Sequence, residues 1–123
     1  MARLKVDAGD LVVGLAWWER IVARPGCARV PLAAVERVTV QPDWWRALRG
    51  VPVRGRALVV PGALCLGVWR HGGGRDLNAL RPRRASPSVV VELRAASPYA
   101  RIAVSSPQAA QTASAIGEAL HHR

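Results

Sequence analysis

Most of this chain follows a two-residue hydrophobic period in short runs, and a helical period enters only near its end. Residues 88–94 alternate most cleanly, with Val89, Val91 and Leu93 on one side and Val90, Glu92 and Arg94 on the other. Residues 101–105 repeat the pattern through Ile102 and Val104. Together they predict half-buried antiparallel strands joined by a turn at Ser97-Pro98. Residues 63–71 are apolar at nearly every position and run into Gly72-Gly73-Gly74, after which residues 75–80 resume an extended pattern. Glycines there suit a tight hairpin turn, so this ribbon is the predicted centre of the fold. Within it, Gly67 predicts a bulge or the close approach of another backbone.

The earlier segments are shorter and less regular. Residues 10–15 read as a strand, and Trp17 with Ile21, like Trp18 with Val22, stand four apart as in a helical turn, although strand alternation also accommodates them. Arg24-Pro25-Gly26 carries turn chemistry, and residues 27–31 form a short second strand. Residues 35–41 make a third, whose mixed alternation fits a partly covered face. Residues 42–62 hold four arginines with little periodicity, which predicts a long loop with one helical turn available at residues 43–48. Residues 81–87 are a basic linker. Ser106-Pro107 then opens the surest element, because the serine hydroxyl can cap a free amide and proline suits the first helical position. Ala109, Ala113, Ile116 and Leu120 recur on one face, predicting a single amphipathic C-terminal helix.

Composition narrows the class. The chain has 123 residues, half of them hydrophobic, with five Trp and no Phe, which fits one globular domain whose core is aliphatic with tryptophan supplying bulk. No apolar run reaches the roughly 18 to 20 residues that cross a bilayer, and residues 1–10 lack the apolar stretch of a secretory signal. A cytoplasmic protein is expected, with a peripheral place at the inner membrane face open to it. Cys27 and Cys65 have neither metal-ligand spacing nor the density of a disulfide scaffold, so both are expected reduced and buried.

Net charge is +10, and since only Lys5 is a lysine among 18 basic residues, seventeen are arginines. Such a field concentrates anionic partners: phospholipid headgroups, an acidic protein or nucleic acid. A genome rich in G and C, which spells its basic residues as arginine, would give the same count.

Several short sequences, unspecific singly, carry a resemblance through their order. They are residues 29–35 (Arg-Val-Pro-Leu-Ala-Ala-Val), Arg49-Gly50, Pro61-Gly62 before Leu66-Gly67, Gly74-Arg75-Asp76-Leu77, and Ser106-Pro107 before a final helix. In that order they resemble the small bacterial pleckstrin-homology-like proteins common in actinobacteria. Leu77 stands where an aromatic is expected, and the loop at residues 42–62 is longer and more basic. The resemblance implies an antiparallel pleckstrin-homology-like barrel of about seven strands capped by one C-terminal helix, acting as a non-catalytic binding or scaffolding module.

Catalytic constellations are weak. His71-Gly72-Gly73-Gly74 matches an oxyanion-hole motif of esterases, but the chain is too short for that fold and has no Gly-x-Ser-x-Gly elbow. No phosphate-binding glycine motif follows a strand, the carboxylates are scattered, and His121-His122 are neighbours at a helix end, so no metal, cofactor or acid–base pair is expected. Cys65 is the one conceivable nucleophile. Charge beside tryptophan is the remaining candidate site: Trp44, Trp45, Arg46, Arg49, Arg54 and Arg56 in one loop, and Arg81, Arg83 and Arg84 in another. Arginine forks bind phosphate oxygens in pairs, and tryptophan suits a membrane interface or a protein hot spot. The alternative is that Trp44 and Trp45 fold back to cover the barrel while the arginines are solvated. Nucleic acid is the second choice of partner, because stacking Phe and Tyr are nearly missing.

Overall fold

The computed structural model describes residues 3–14, 28–60, 63–72, 74–81, 87–95, 97 and 99–121. β1 (Arg3–Asp7), β2 (Asp10–Gly14) and β3 (Ala28–Pro31) form a three-stranded antiparallel sheet in that order. A single 3-10 turn (Leu32–Ala34) leads into β4 (Val35–Gln41), and one helical turn, α1 (Trp44–Ala47), follows. Next come β5 (Val51–Val60), β6 (Leu64–His71), β7 (Gly74–Leu80), β8 (Ser88–Leu93), β9 (Arg101–Ser105) and the helix α2 (Ala109–His121). The second sheet has six strands in the order β4-β8-β9-β7-β6-β5.

Neither sheet closes on itself, so the architecture is mainly β, two open sheets with a C-terminal helix, and not a closed barrel. Closure of the larger sheet would require β4 to meet β5, and they stand at its opposite edges. The sheet is also not purely antiparallel. β9 pairs antiparallel with β8 as the alternation predicts, but its other neighbour is β7, to which it runs parallel.

Residues 42–60, the described part of the predicted loop at residues 42–62, do not form a long loop. The helical turn is present as α1, but residues 51–60 form a strand, β5, paired with β6. Its sequence lacks alternation because the register breaks between Pro52 and Ala57, leaving a bulge around Gly55. A second bulge, between Val35 and Arg37, explains the mixed pattern of β4: it brings both Val35 and Val38 against the core. β1 was not foreseen, although Leu4 and Val6 alternate and Asp7 pairs with Asp10 across a two-residue Ala8-Gly9 turn. The Trp17-Trp18 segment, the Arg24-Pro25-Gly26 turn and Cys27 lie outside the described residues.

The main core lies between one face of the larger sheet, the smaller sheet and α2. Leu66, Val68, Leu77, Val89, Val91 and Ile102 contribute from the larger sheet, Leu11, Val13 and Val30 from the smaller, and Ala109 and Ile116 from the helix. Ser106 Oγ accepts a hydrogen bond from the Gln108 amide at 3.1 Å, which fixes the turn before the helix; Ser106 and Pro107 precede α2, and Gln108, whose carbonyl accepts the first helical bond from the Thr112 amide, stands at the N-cap position in place of Ser106. A second, smaller cluster covers the opposite face of the larger sheet. There Cys65, Trp69, Leu80, Val90 and Ala103 pack with Ala47 of α1, and Trp44 and Leu48 close over them. That layer buries Val90, so β8 is covered on both faces rather than on one.

Candidate functional site

β7 turns Leu77 and Ala79 into the main core, and strand geometry therefore sends Asp76, Asn78 and Leu80 to the face beneath α1. Asp76 is fully buried there. A lone buried carboxylate is expensive unless it is paired. Here it has three cationic or polar neighbours. Arg49 donates from Nε to Oδ2 at 2.8 Å and from Nη2 to Oδ1 at 2.7 Å, a bidentate fork. His71 Nε2 lies 2.9 Å from Oδ1, and Arg101, which sits opposite Asp76 across the parallel pair, brings Nε to 3.9 Å from Oδ2.

Burial pushes the Asp76 carboxyl up, but the hydrogen bonds from Arg49 and then His71 outweigh it and hold the carboxyl below its ordinary value. The same fork raises Arg49. Arg101 is lowered, by burial first and by the nearby Arg49 charge second. The arrangement is a clamp: Arg49 ties the segment after α1 to β7, and Arg101 Nη2 donates to the carbonyl of Ala47 at 2.8 Å, tying α1 itself to β9. The two Arg49 bonds to the Asp76 carboxylate thus hold this layer in place, while the His71 contact joins β6 to β7 within the sheet.

α1 then presents its two tryptophans differently. Trp44 is half-buried against the second cluster, and Trp45, with 57% of its surface exposed, stands edge-on to it at a ring-centre distance of 5.9 Å and an interplanar angle of 88°. Arg46 beside it is exposed, with the Asp43 carboxylate 3.5 Å from its Nε. The predicted loop site thus divides. Trp45, Arg46 and Arg54 lie at the surface, whereas Trp44 packs inward and Arg49 is consumed by Asp76. Trp44 thus follows the alternative of folding back, and both placements have one physical cause: the segment is bound down onto the sheet face that carries Cys65, Trp69 and Ala103. Arg56 is half-buried on β5, and its carbonyl oxygen lies where a β-carbon on Gly67 would stand, the close approach that Gly67 predicts. Arg81 is half-buried, its amide donating to Ser105 Oγ at 2.9 Å, while Arg83 and Arg84 lie outside the described residues.

Sequence reasoning missed the Asp76 centre. Part of it was within reach: with His71 opposite Gly74 in a two-residue hairpin, Asp76 must face Trp69 on the side away from Leu77. Arg101 was not, because its place depends on the parallel pairing of strands far apart in sequence. Cys65 is buried, and burial pushes its thiol up, toward the unreactive protonated form. A cleft of about 460 Å³ elsewhere is lined by Arg75, Arg94 and Tyr99, but also by Glu36, so its charge is mixed. Among the described residues no group of three or more His, Cys, Asp or Glu could hold a metal ion, and no helix is long and apolar enough to cross a membrane.

Comparison with known proteins finds no matching family model, no matching curated protein and no matching solved structure.

Proposed function

We propose that this chain is a non-catalytic binding module of pleckstrin-homology-like build that docks on an anionic phospholipid surface through Trp45 and Arg46. The observation that carries this reading is the pose of Trp45: a large aromatic ring held out from the protein by edge contact with an anchored Trp44, next to an exposed guanidinium. An amphipathic indole gains by entering the headgroup region, and arginine pairs with lipid phosphates while the net charge of +10 draws the protein to the surface. The fold supports it indirectly, since a series of strands ending in one packed helix is the element order of the pleckstrin-homology superfold. A nucleic-acid partner is the weaker choice, because among the described residues the one exposed tryptophan ring offers no row of stacking platforms.

Co-sedimentation with vesicles is the test. Vesicles containing phosphatidylglycerol should carry the protein down and pure phosphatidylcholine should not, and Trp45→Ala combined with Arg46→Ser should abolish binding while the melting temperature stays put. Equal binding by that variant would overturn the site. Gel retardation of DNA at moderate salt, with no vesicle binding, would replace the lipid reading with the nucleic-acid one.

A further inference from the structure

We propose that the outer edge of β5 is a docking site for an extended segment of a partner protein, apolar alongside residues 57–60 and acidic alongside residues 51–54, which adds to the larger sheet as a further strand. This is a second surface, distinct from the one on α1. β5 ends the strand order of that sheet, so its inner edge pairs with β6 and, among the described residues, no strand pairs with its outer edge. Such an edge presents a row of backbone donors and acceptors to any passing chain.

The two halves of the strand treat this hazard differently. The first half carries the usual protections: Pro52, the charge of Arg54 and the bulge around Gly55. The second half, Ala57-Leu58-Val59-Val60, has neither charge nor proline, keeps regular pairing with β6, and exposes 37% of Leu58, 48% of Val59 and 42% of Val60. Successive strand residues point to opposite faces, so apolar surface is left open above and below the edge at once. A flat patch for a lipid or a helix would open one face only. An added strand covers both and satisfies the backbone row as well.

Charge selects the occupant. Beyond the apolar half, exposed Arg54 is followed across the sheet by the exposed row Val51, Arg70 and Arg75, in which Arg70 pairs with Val51 on one side and Arg75 on the other. Among the described residues no carboxylate pairs with Arg54, Arg70 or Arg75. A second copy of this chain would add another +10 beside these cations, whereas an acidic segment meets Arg54 on β5 and the positive field of Arg70 and Arg75 behind it.

Fluorescence anisotropy of the full chain with labelled ten-residue peptides tests the proposal. The probes alternate valine and threonine in one half and glutamate and serine in the other, and are made in both chain directions. One direction should bind with a Kd on the order of 10 μM. N-methylation of one alternate set of its amides should weaken binding at least about tenfold, because only that set faces β5. Val59→Lys should weaken it about as much with an unchanged melting temperature, and Trp45→Ala with Arg46→Ser should leave it intact, so the two surfaces stand or fall separately. The proposal is overturned if neither direction binds, if both N-methylated sets bind as the parent does, or if Val59→Lys binds normally. A dimer in sedimentation velocity that Val59→Lys dissolves would assign the edge to a second copy and overturn it too.

Discussion

A β-carbon on Gly50 would overlap the carbonyl oxygen of Arg70, so the chain passes from α1 into β5 through a contact that only glycine allows. Its φ of +75° lies in the left-handed region as well. Gly50→Ala should therefore destabilise the fold by about 2 to 4 kcal/mol and loosen the fork between Arg49 and Asp76. Gly55, with φ of +79° but open space around it, is the control: Gly55→Ala should cost only about 1 kcal/mol. Urea denaturation of the two variants checks the contrast, and equal losses would show that backbone torsion alone, not the contact with β6, governs both.

Replacing Asp76 by Asn leaves Arg49 and Arg101 facing a neutral amide on a buried strand. The expected loss is about 2 to 3 kcal/mol at neutral pH, below the range for fully buried pairs because Arg49 is partly exposed to solvent. The pH dependence follows from the depressed carboxyl. Its stabilising contribution is complete above the unfolded value of about 3.9 and is lost as pH falls through the lower folded value. Wild-type stability should accordingly drop below about pH 4, and Asp76→Asn should remove that share of the acid sensitivity. Thermal melts between pH 2 and pH 7, run on both proteins, measure it.

The paired tryptophans separate packing from binding. Trp44→Ala should cost about 2 kcal/mol by opening the second cluster, whereas Trp45→Ala should change stability by less than about 0.5 kcal/mol and weaken vesicle binding. A large stability loss at Trp45 would contradict its exposed placement.

Ile116 is buried in the main core with Leu11, Val35 and Val89. Ile116→Ala should lower stability by about 2 to 4 kcal/mol through lost burial and the cavity left behind. A loss under about 0.5 kcal/mol would mean that α2 contributes nothing to the core.

What could be read from the residues was whatever local chemistry determines. The terminal helix, the hairpin of β6 and β7 and the inward sets of β8 and β9 all follow from spacing within a few residues. β5 escaped because a bulge breaks its alternation, and β1 because Leu4 and Val6 are too few to outweigh their charged neighbours. At the candidate site, Arg46 and Arg54 reach the surface as their charge suggests, and Trp45 lies exposed beside Trp44, which packs against the second cluster. Arg49 and Trp44 are drawn inward by partners on β6 and β7, which no local pattern could supply.

The place of β9 between β7 and β8 bears on the order in which the sheet can assemble. β5, β6 and β7 form a meander of near neighbours, and β4 pairs only with β8. Among the described residues no hydrogen bond joins these two groups directly, and residues 100–105 bridge them. During synthesis both groups would wait with open edges, and the apolar faces meant for the main core would stay wet until β9 and α2 emerged. Folding should then be late and cooperative, completed by the last quarter of the sequence, and mutations that slow the docking of β9 should show themselves first as aggregation of newly made chains.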